Sequence, residues 1–203
     1  ELILSIYCLY KYSNVAPRIT IFVSKKSIKF FNEFCDELIK NNLIHNKALI
    51  GFSSVPWGTK TLAWCAAMTE FKRFLFLDTD VKFIQSLPVD DFYDKSMLFC
   101  PGNPKHIGKT RKLVSKYFGI SLKRNVGLPV TWFNREGNPP VDYLKLRDKL
   151  QKNLSIVNIA IKNGFLSKGV DDQMVMSITL HKMGINPKFV ISHPDLFSSR
   201  ESI

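Results

Sequence analysis

The chain has 203 residues, of which 45% are hydrophobic and 23% are charged. This composition is typical of a globular protein with one sizeable core, and it excludes a disordered chain and two full-sized domains. The sequence contains no apolar run approaching the roughly 20 residues of a membrane-spanning helix, so no transmembrane segment is expected.

The first half of the chain alternates between helix and strand patterns. Apolar residues recur at helical spacing near the start, and β-branched segments mark the strands. The predicted elements are a helix over 2–12, a strand over 18–24, a helix over 27–42, a strand over 47–53, a helix over 59–69 and a strand over 73–78. The apolar face of the helix over 27–42 is predicted to contain Phe30, Phe31, Phe34, Leu38 and Ile39.

The second half continues the alternation. The predicted elements are a strand over 96–101, a basic helical stretch, a strand over 128–134, a helix from Pro139-Pro140 to about Asn163, a helix that starts at Asp171 and Asp172 and ends at Gly184, and a strand over 187–192. This order predicts one α/β domain over residues 1–203 with a mostly parallel sheet flanked by helices. In such sheets, ligands bind beyond the carboxyl ends of the strands.

The cysteines are widely spaced and have apolar neighbours. They are Cys8, Cys35, Cys65 and Cys100. Because no two of them form a CxxC pair, zinc ribbons and thioredoxin-like chemistry are not expected. We predict buried free thiols in a reducing compartment.

A pair of aspartates follows the strand-like segment that ends at Leu77. Asp78 and Asp80 stand one residue apart, and the sequence then turns apolar again. Carboxylates are costly to bury without partners, and two so close repel each other unless a cation lies between them. Mn²⁺ and Mg²⁺ take such oxygen ligands together with water and substrate phosphates. The pattern favours a metal site over the alternative, a surface cap of the strand end.

Two helix starts carry further candidate site residues. Lys60 lies in the first turn of the predicted helix over 59–69, where a lysine beside a helix N-terminus suits a diphosphate; the alternative is an exposed, solvated lysine. Asp171, Asp172 and Gln173 open a later helix. One aspartate suffices as an N-cap, and Asp171 is the expected one. Asp172 is left open between capping and a functional role.

The run WGTKTLAWCAAMTEFKRFLFLDTDVKFIQSLPVDDFYD resembles the nucleotide-sugar-binding core of GT-A glycosyltransferases, especially family 8-like enzymes. The opening LSIYCLYKYSNVAPRITIFVS and the later VDDQMVMSITLHKMG are similar to further segments of that family. The resemblance implies a GT-A-type, Rossmann-like fold and retaining transfer of a sugar from a nucleoside diphosphate sugar, a UDP-sugar, to an acceptor. It also implies that Asp78 and Asp80 bind Mn²⁺ or Mg²⁺ at the donor diphosphate, and that Asp172 and Gln173 orient the donor sugar.

The chain departs from the family's pattern in three places. The family's first strand is not found before Glu1, which predicts a chain truncated there. The family's NSGVMLFN corresponds to VGLPVTWFN, with Asn125 and Asn134 as the counterparts of its asparagines. Its later metal-binding histidine motif is reduced to His193 in SHPDLF, which is the expected third metal ligand.

Positive charge is concentrated between Asp94 and Glu136, an interval without any acidic residue. Its basic residues are Lys95, Lys105, Lys109, Arg111, Lys112, Lys116, Lys123, Arg124 and Arg135. In a chain of net charge +12, this imbalance favours an anionic partner over a merely solvated surface. We expect an anionic acceptor, such as a lipid phosphate, a phosphate-bearing glycan or a nucleic acid, and peripheral contact with a membrane.

The expected function is therefore that of a metal-dependent glycosyltransferase, and two alternatives stay open. A nucleotidyltransferase would share the metal and the sheet, but it should show a glycine-rich phosphate loop that this sequence lacks. A non-catalytic, basic nucleic-acid-binding module would explain the positive charge but not the paired aspartates. We expect a cytoplasmic, membrane-peripheral location, or the Golgi or ER lumen if the chain is a fragment of a longer secretory-pathway protein.

Overall fold

A computed structural model describes residues 1–13, 16–53, 58–83, 86, 89–101, 108–122, 126–189 and 197–198. The helices are α1 (Leu2–Tyr12), α2 (Ile28–Lys40), α3 (Gly58–Glu70), α4 (Gly108–Phe118), α5 (Tyr143–Lys162) and α6 (Asp172–Lys182), with a 3-10 turn over Val89–Phe92. The strands are β1 (Thr20–Ser24), β2 (Asn46–Ile50), β3 (Arg73–Leu77), β4 (Lys82–Phe83), β5 (Met97–Pro101), β6 (Val126–Asn134), β7 (Lys188–Phe189) and β8 (Phe197–Ser198).

The fold is mixed α/β, with small parallel and antiparallel sheets flanked by helices. The chain forms two compact units. The first contains Glu1–Phe52, Asp78–Val89 and His193–Ile203, and the second contains Ser53–Leu77 and Asp90–Ser192.

The first unit holds two small sheets. Strands β1 and β2 pair in parallel, from Thr20 opposite Asn46 to Ser24 opposite Ile50, whereas β4 and β8 pair antiparallel. The core of this unit contains Ile6, Val23, Cys35, Leu38 and Ile44.

The apolar face predicted for α2 is wrong in part. Phe30 is 82% exposed and Phe31 is 46% exposed, while Cys35 and Leu38 are the residues of α2 that are buried. Helical spacing alone cannot tell which side of a mostly apolar turn faces the core, because Phe30 and Phe34 lie on a side that only partly overlaps with the Cys35–Leu38 side.

The second unit is built on a four-stranded sheet of order β3-β6-β5-β7. Strand β6 runs antiparallel to both β3 and β5, and β7 joins β5 in parallel. The prediction of a mostly parallel sheet is therefore wrong for this sheet, in whose described strand order β3 lies at one end. Side-chain alternation identifies a strand but carries no information about its direction relative to its neighbours.

The core of the second unit lies between this sheet and the helices α3, α5 and α6. On α5, Leu146, Leu150, Leu154 and Val157 recur at helical spacing and are all buried, and Ile161 is partly buried against them. The helix begins at Tyr143 rather than at the proline pair, because the carboxylate of Asp142 caps it by accepting from the Lys145 N–H at 2.9 Å.

Most other element predictions agree with the structure. Helix α1 has the predicted bounds, α3 is one residue longer at each end, and Gly184 follows α6 with a positive φ of 68°. The last predicted strand, 187–192, is described only in its first part, as β7, and its remaining residues lie outside the described ones. Strands β4 and β8 were not predicted.

All four cysteines are buried and free, as predicted. Burial raises the pKa of the Cys65 thiol to about 12, so this side chain stays protonated at neutral pH and is a poor nucleophile. Among the helices that the structure describes, none is both long enough and apolar enough to cross a membrane.

Candidate functional site

The Asp78–Asp80 pair occupies a tight turn in the first unit. The turn follows directly on β3, and the Val81 N–H donates to the Asp78 carbonyl at 3.1 Å to close it. The buried Ser5 hydroxyl, on α1, donates to the Thr79 carbonyl at 2.8 Å. Both aspartates are partly exposed, so the backbone of this turn is held in place while its carboxylates can meet solvent or a ligand.

The donor atoms of this turn fit a hard divalent cation in kind, because Mg²⁺ and Mn²⁺ prefer carboxylate oxygens. Two carboxylates would leave the other coordination positions to water and substrate. Within the residues that the structure describes, no group of three or more histidine, cysteine, aspartate or glutamate side chains is placed to hold a metal. His193, the predicted third ligand, lies outside the described residues.

The second unit brings together two residues that were predicted separately. The Lys60 ammonium, in the first turn of α3, lies 3.6 Å from Asp172 Oδ2 at the start of α6. Their side chains are only 16% and 6% exposed, respectively. The alternative interpretation of Lys60 as an exposed, solvated lysine is therefore wrong, since this is a nearly buried ion pair.

The backbone of α6 adds to the stabilisation of the Asp172 carboxylate. Its Oδ1 accepts from the Gln173 N–H at 2.9 Å, and the helix N-terminus contributes a further partial positive charge. The rest of α6 is buried from Met174 to Leu180, so the ion pair lies at the end of a central helix. Gln173 itself is partly exposed at this end.

Asp171 is the N-cap of α6, as predicted. Its carboxylate accepts from the Met174 N–H at 3.0 Å. Burial raises the pKa of Asp171 above its ordinary value of 3.8, while the backbone hydrogen bonds and the charge of Lys60 act in the opposite direction. The cap is thus a separate role from that of Asp172, whose partner is Lys60.

Two further polar side chains on α3 lie beside Lys60. The Thr61 hydroxyl and the Trp64 indole N–H are buried, and neither has a hydrogen-bond partner in the part of the chain that the structure describes. The Lys60 ammonium also lies 5.6 Å from the centre of the Trp64 ring, within cation–π range. Sequence reasoning missed both residues, because threonine and tryptophan on an apolar helix face are typical of a core.

The basic interval is only partly described. Lys105, Lys123 and Arg124 lie outside the described residues, as does Asn125. Asn134, the other predicted asparagine, is buried at the end of β6, and its side chain donates to the Tyr93 carbonyl at 2.6 Å, which is a structural contact. Lys112 and Lys116 are exposed on α4 and keep the predicted character of a positive surface.

The predicted site residues thus fall into two groups. Asp78 and Asp80 belong to the first unit, and Lys60, Asp172 and Gln173 belong to the second. No model of a known protein family matches this chain, and no curated protein is significantly similar to it.

Proposed function

We propose that this protein is a metal-dependent glycosyltransferase that moves a sugar from a nucleoside diphosphate sugar, a UDP-sugar, to an anionic acceptor. The observation that carries the proposal is the Asp78–Asp80 turn. Two carboxylates follow an apolar strand directly, stay partly exposed, and sit on a backbone that Ser5 fixes from α1. Two carboxylates one residue apart repel each other, and a divalent cation between them would offset that repulsion.

Asp78 and Asp80 would hold Mn²⁺ or Mg²⁺. When bound, such a metal neutralises charge on the diphosphate and acts as a Lewis acid toward the leaving nucleotide. The protein's own part here is positional, because Ser5 and the Val81–Asp78 hydrogen bond hold the backbone that carries the two carboxylates.

The corner formed by Lys60, Asp172 and Gln173, within the second unit, would bind a sugar. Lys60 forms an ion pair with Asp172. If Lys60 also bound a phosphate, its single positive charge would have to compensate two anions. Asp172 and Gln173 would accept from and donate to sugar hydroxyls, with the position of the Asp172 carboxylate fixed by Lys60 and by the Gln173 N–H. The geometry favours a sugar role for this corner over a pure phosphate role.

The test is the thermal unfolding of the protein with UDP or GDP, each with and without Mn²⁺ or Mg²⁺. We expect the nucleotide to raise the melting temperature only when the metal is present, because a ligand that binds the native state stabilises it by mass action. Asp80→Asn should abolish the metal-dependent rise without lowering the melting temperature of the free protein.

The matched control is Asp90→Asn, which removes an exposed carboxylate from the 3-10 turn and should leave the rise unchanged. Equal shifts with and without metal, or an Asp80→Asn variant that behaves like the wild type, would refute the metal clamp.

A further inference from the structure

One surface of the second unit combines exposed apolar side chains with lysines. On α4, Lys112 and Lys116 form one row at a spacing of four residues, and Leu113 and Tyr117 form the adjacent row. Leu113 is 39% exposed, Tyr117 is 42% exposed, and both lysines are exposed. Phe165, just after α5, is 62% exposed and stacks on Tyr117, with ring centroids 6.4 Å apart. We call Lys112, Leu113, Lys116, Tyr117 and Phe165 the α4 surface.

The α4 surface is continuous with further cations. Phe118 contacts Tyr117 edge to face, with centroids 5.1 Å apart, and the Lys182 ammonium lies 4.5 Å from the Phe118 ring centre. Partial burial lowers the pKa of Lys182, and the like charges of Lys149 and Lys152 lower it further. Lys149 and Lys152 of α5 are therefore close enough to Lys182 of α6 to repel it.

This repulsion is a cost to the isolated protein that an anionic surface would remove. Helix α4 lies in the acid-free interval from Lys95 to Arg135, so this part of the chain supplies no carboxylate to compensate the lysines of α4. Positive charge here therefore comes from several lysines rather than from one.

We propose that the α4 surface binds the protein peripherally to an anionic lipid bilayer. Leucine and aromatic side chains insert between headgroups while adjacent lysines meet the anionic phosphates and carboxylates, which is the arrangement of interfacial helices.

A single-stranded nucleic acid fits this surface less well. Base stacking needs ring faces that are open to solvent. Here Tyr117 and Phe165 turn faces toward each other with an interplanar angle of 29°, and Lys182 lies over the face of Phe118. Leu113, in the same row as Tyr117, has no stacking face. These side chains fit a surface that inserts into a bilayer better than a surface on which nucleic-acid bases stack.

Co-sedimentation with vesicles tests the proposal, using phosphatidylcholine alone and phosphatidylcholine with phosphatidylserine. The wild type should bind only the vesicles that contain phosphatidylserine, and added salt should weaken binding because exposed charges are screened. Lys112→Gln with Lys116→Gln should lower the partition coefficient roughly 25-fold, or about fivefold per lysine. Leu113→Gln with Tyr117→Gln should lower it about tenfold, because the inserted apolar area is lost.

The matched control is Lys25→Gln with Lys29→Gln, which removes two exposed lysines from the first unit and should change binding by less than about twofold. All three double variants change exposed side chains, so their melting temperatures should match that of the wild type and show that they remain folded.

Three results would overturn the proposal. One is equal binding to vesicles with and without phosphatidylserine, and another is equal loss in the control and the Lys112/Lys116 variant. The third is binding to a poly-uridine oligonucleotide that depends on Tyr117 and Phe165 while the vesicles stay unbound, since that result would assign the surface to nucleic acid. Because the assay contains neither nucleotide nor divalent metal, its outcome is independent of the proposed sugar transfer.

Discussion

Two regions of this molecule place carboxylates where a function is expected, and they do so in opposite ways. In the Asp78–Asp80 turn the carboxylates are partly exposed and the backbone is held by Ser5 and Val81. In the Lys60–Asp172 corner the carboxylate is 6% exposed and faces an ammonium that is itself nearly buried. The turn fixes the backbone and leaves the charge accessible, whereas the corner fixes the charge itself.

The difference decides what a substitution can reveal. A change at Asp80 alters a partly exposed group, so its effect on ligand binding can be measured in a protein of unchanged stability. A change at Asp172 or Lys60 removes one member of a nearly buried ion pair, so loss of function there is mixed with loss of stability. The two regions therefore need different experiments.

The largest effect is expected from separating the ion pair. Lys60→Met and Asp172→Asn should each destabilise the protein by about 3–5 kcal/mol, because each removes one member of a nearly buried ion pair and keeps the other charge. The combination Lys60→Met with Asp172→Asn should cost clearly less than the sum of the two, since both charges of the pair are removed together. Urea-induced unfolding of the three variants measures these free energies.

The reference for these three variants is a substitution in the Asp78–Asp80 turn. Asp80→Asn, measured alongside, should change the free energy of unfolding by no more than about 0.5 kcal/mol. If Asp172→Asn is as mild as Asp80→Asn, the Lys60–Asp172 pair contributes little to the fold. The corner would then resemble the turn as a solvated site.

The sequence could predict the turn but not the corner, and the reason is the range of the interactions. The Asp78–Asp80 pair and its strand are adjacent in sequence, so their chemistry can be deduced from a few residues. Lys60 and Asp172 were each identified at a helix start, but their pairing depends on how α3 and α6 pack, which no local pattern encodes. The same holds for Thr61 and Trp64, since only the packing shows that both are fully buried.

The fold shows the same division. Helix periodicity and capping predicted α1, α3, α5 and α6 closely, because the hydrogen bonds of a helix are local. Strand direction and order were not predictable, and β3 lies at one end of the described strand order, beside an antiparallel neighbour. The exposed Phe30 and Phe31 of α2 were misassigned because hydrophobicity indicates a core only where another element covers it.

A smaller effect is expected from the contact that holds the turn. Ser5→Ala removes the hydroxyl that donates to the Thr79 carbonyl at 2.8 Å, and it should lower the free energy of unfolding by about 1 kcal/mol. If the turn binds a metal as proposed, the variant should also show a smaller metal-dependent thermal shift with UDP. Ser155→Ala, at an exposed position on α5, is the matched control and should change neither quantity. A Ser5→Ala variant with full stability and a full thermal shift would show that the hydrogen bond from Ser5 is not needed to hold the turn.

The smallest effect, and the only one with a favourable sign, is expected from Asp171→Asn. Asparagine caps a helix about as well as aspartate, so the hydrogen bond to the Met174 N–H is kept while the partly buried charge is removed. The pKa of Asp171 is raised in the folded protein, so the native state binds this proton more tightly than the unfolded chain does. The associated stability is fully present below the ordinary pKa of 3.8 and is lost as the pH rises through the folded value.

Asp171→Asn has no such titration. The difference in unfolding free energy, variant minus wild type, should therefore increase as the pH rises from below 3.8 to neutrality. Urea unfolding at a series of pH values measures this difference. Asp171→Ala also lacks the titration, so it should be about 1 kcal/mol less stable than Asp171→Asn at every pH through loss of the cap, which separates capping from titration. A difference that stays constant or falls with rising pH would mean that the Lys60 charge and the backbone hydrogen bonds outweigh burial at Asp171. The cap would then belong to the same charge-stabilised corner as Asp172.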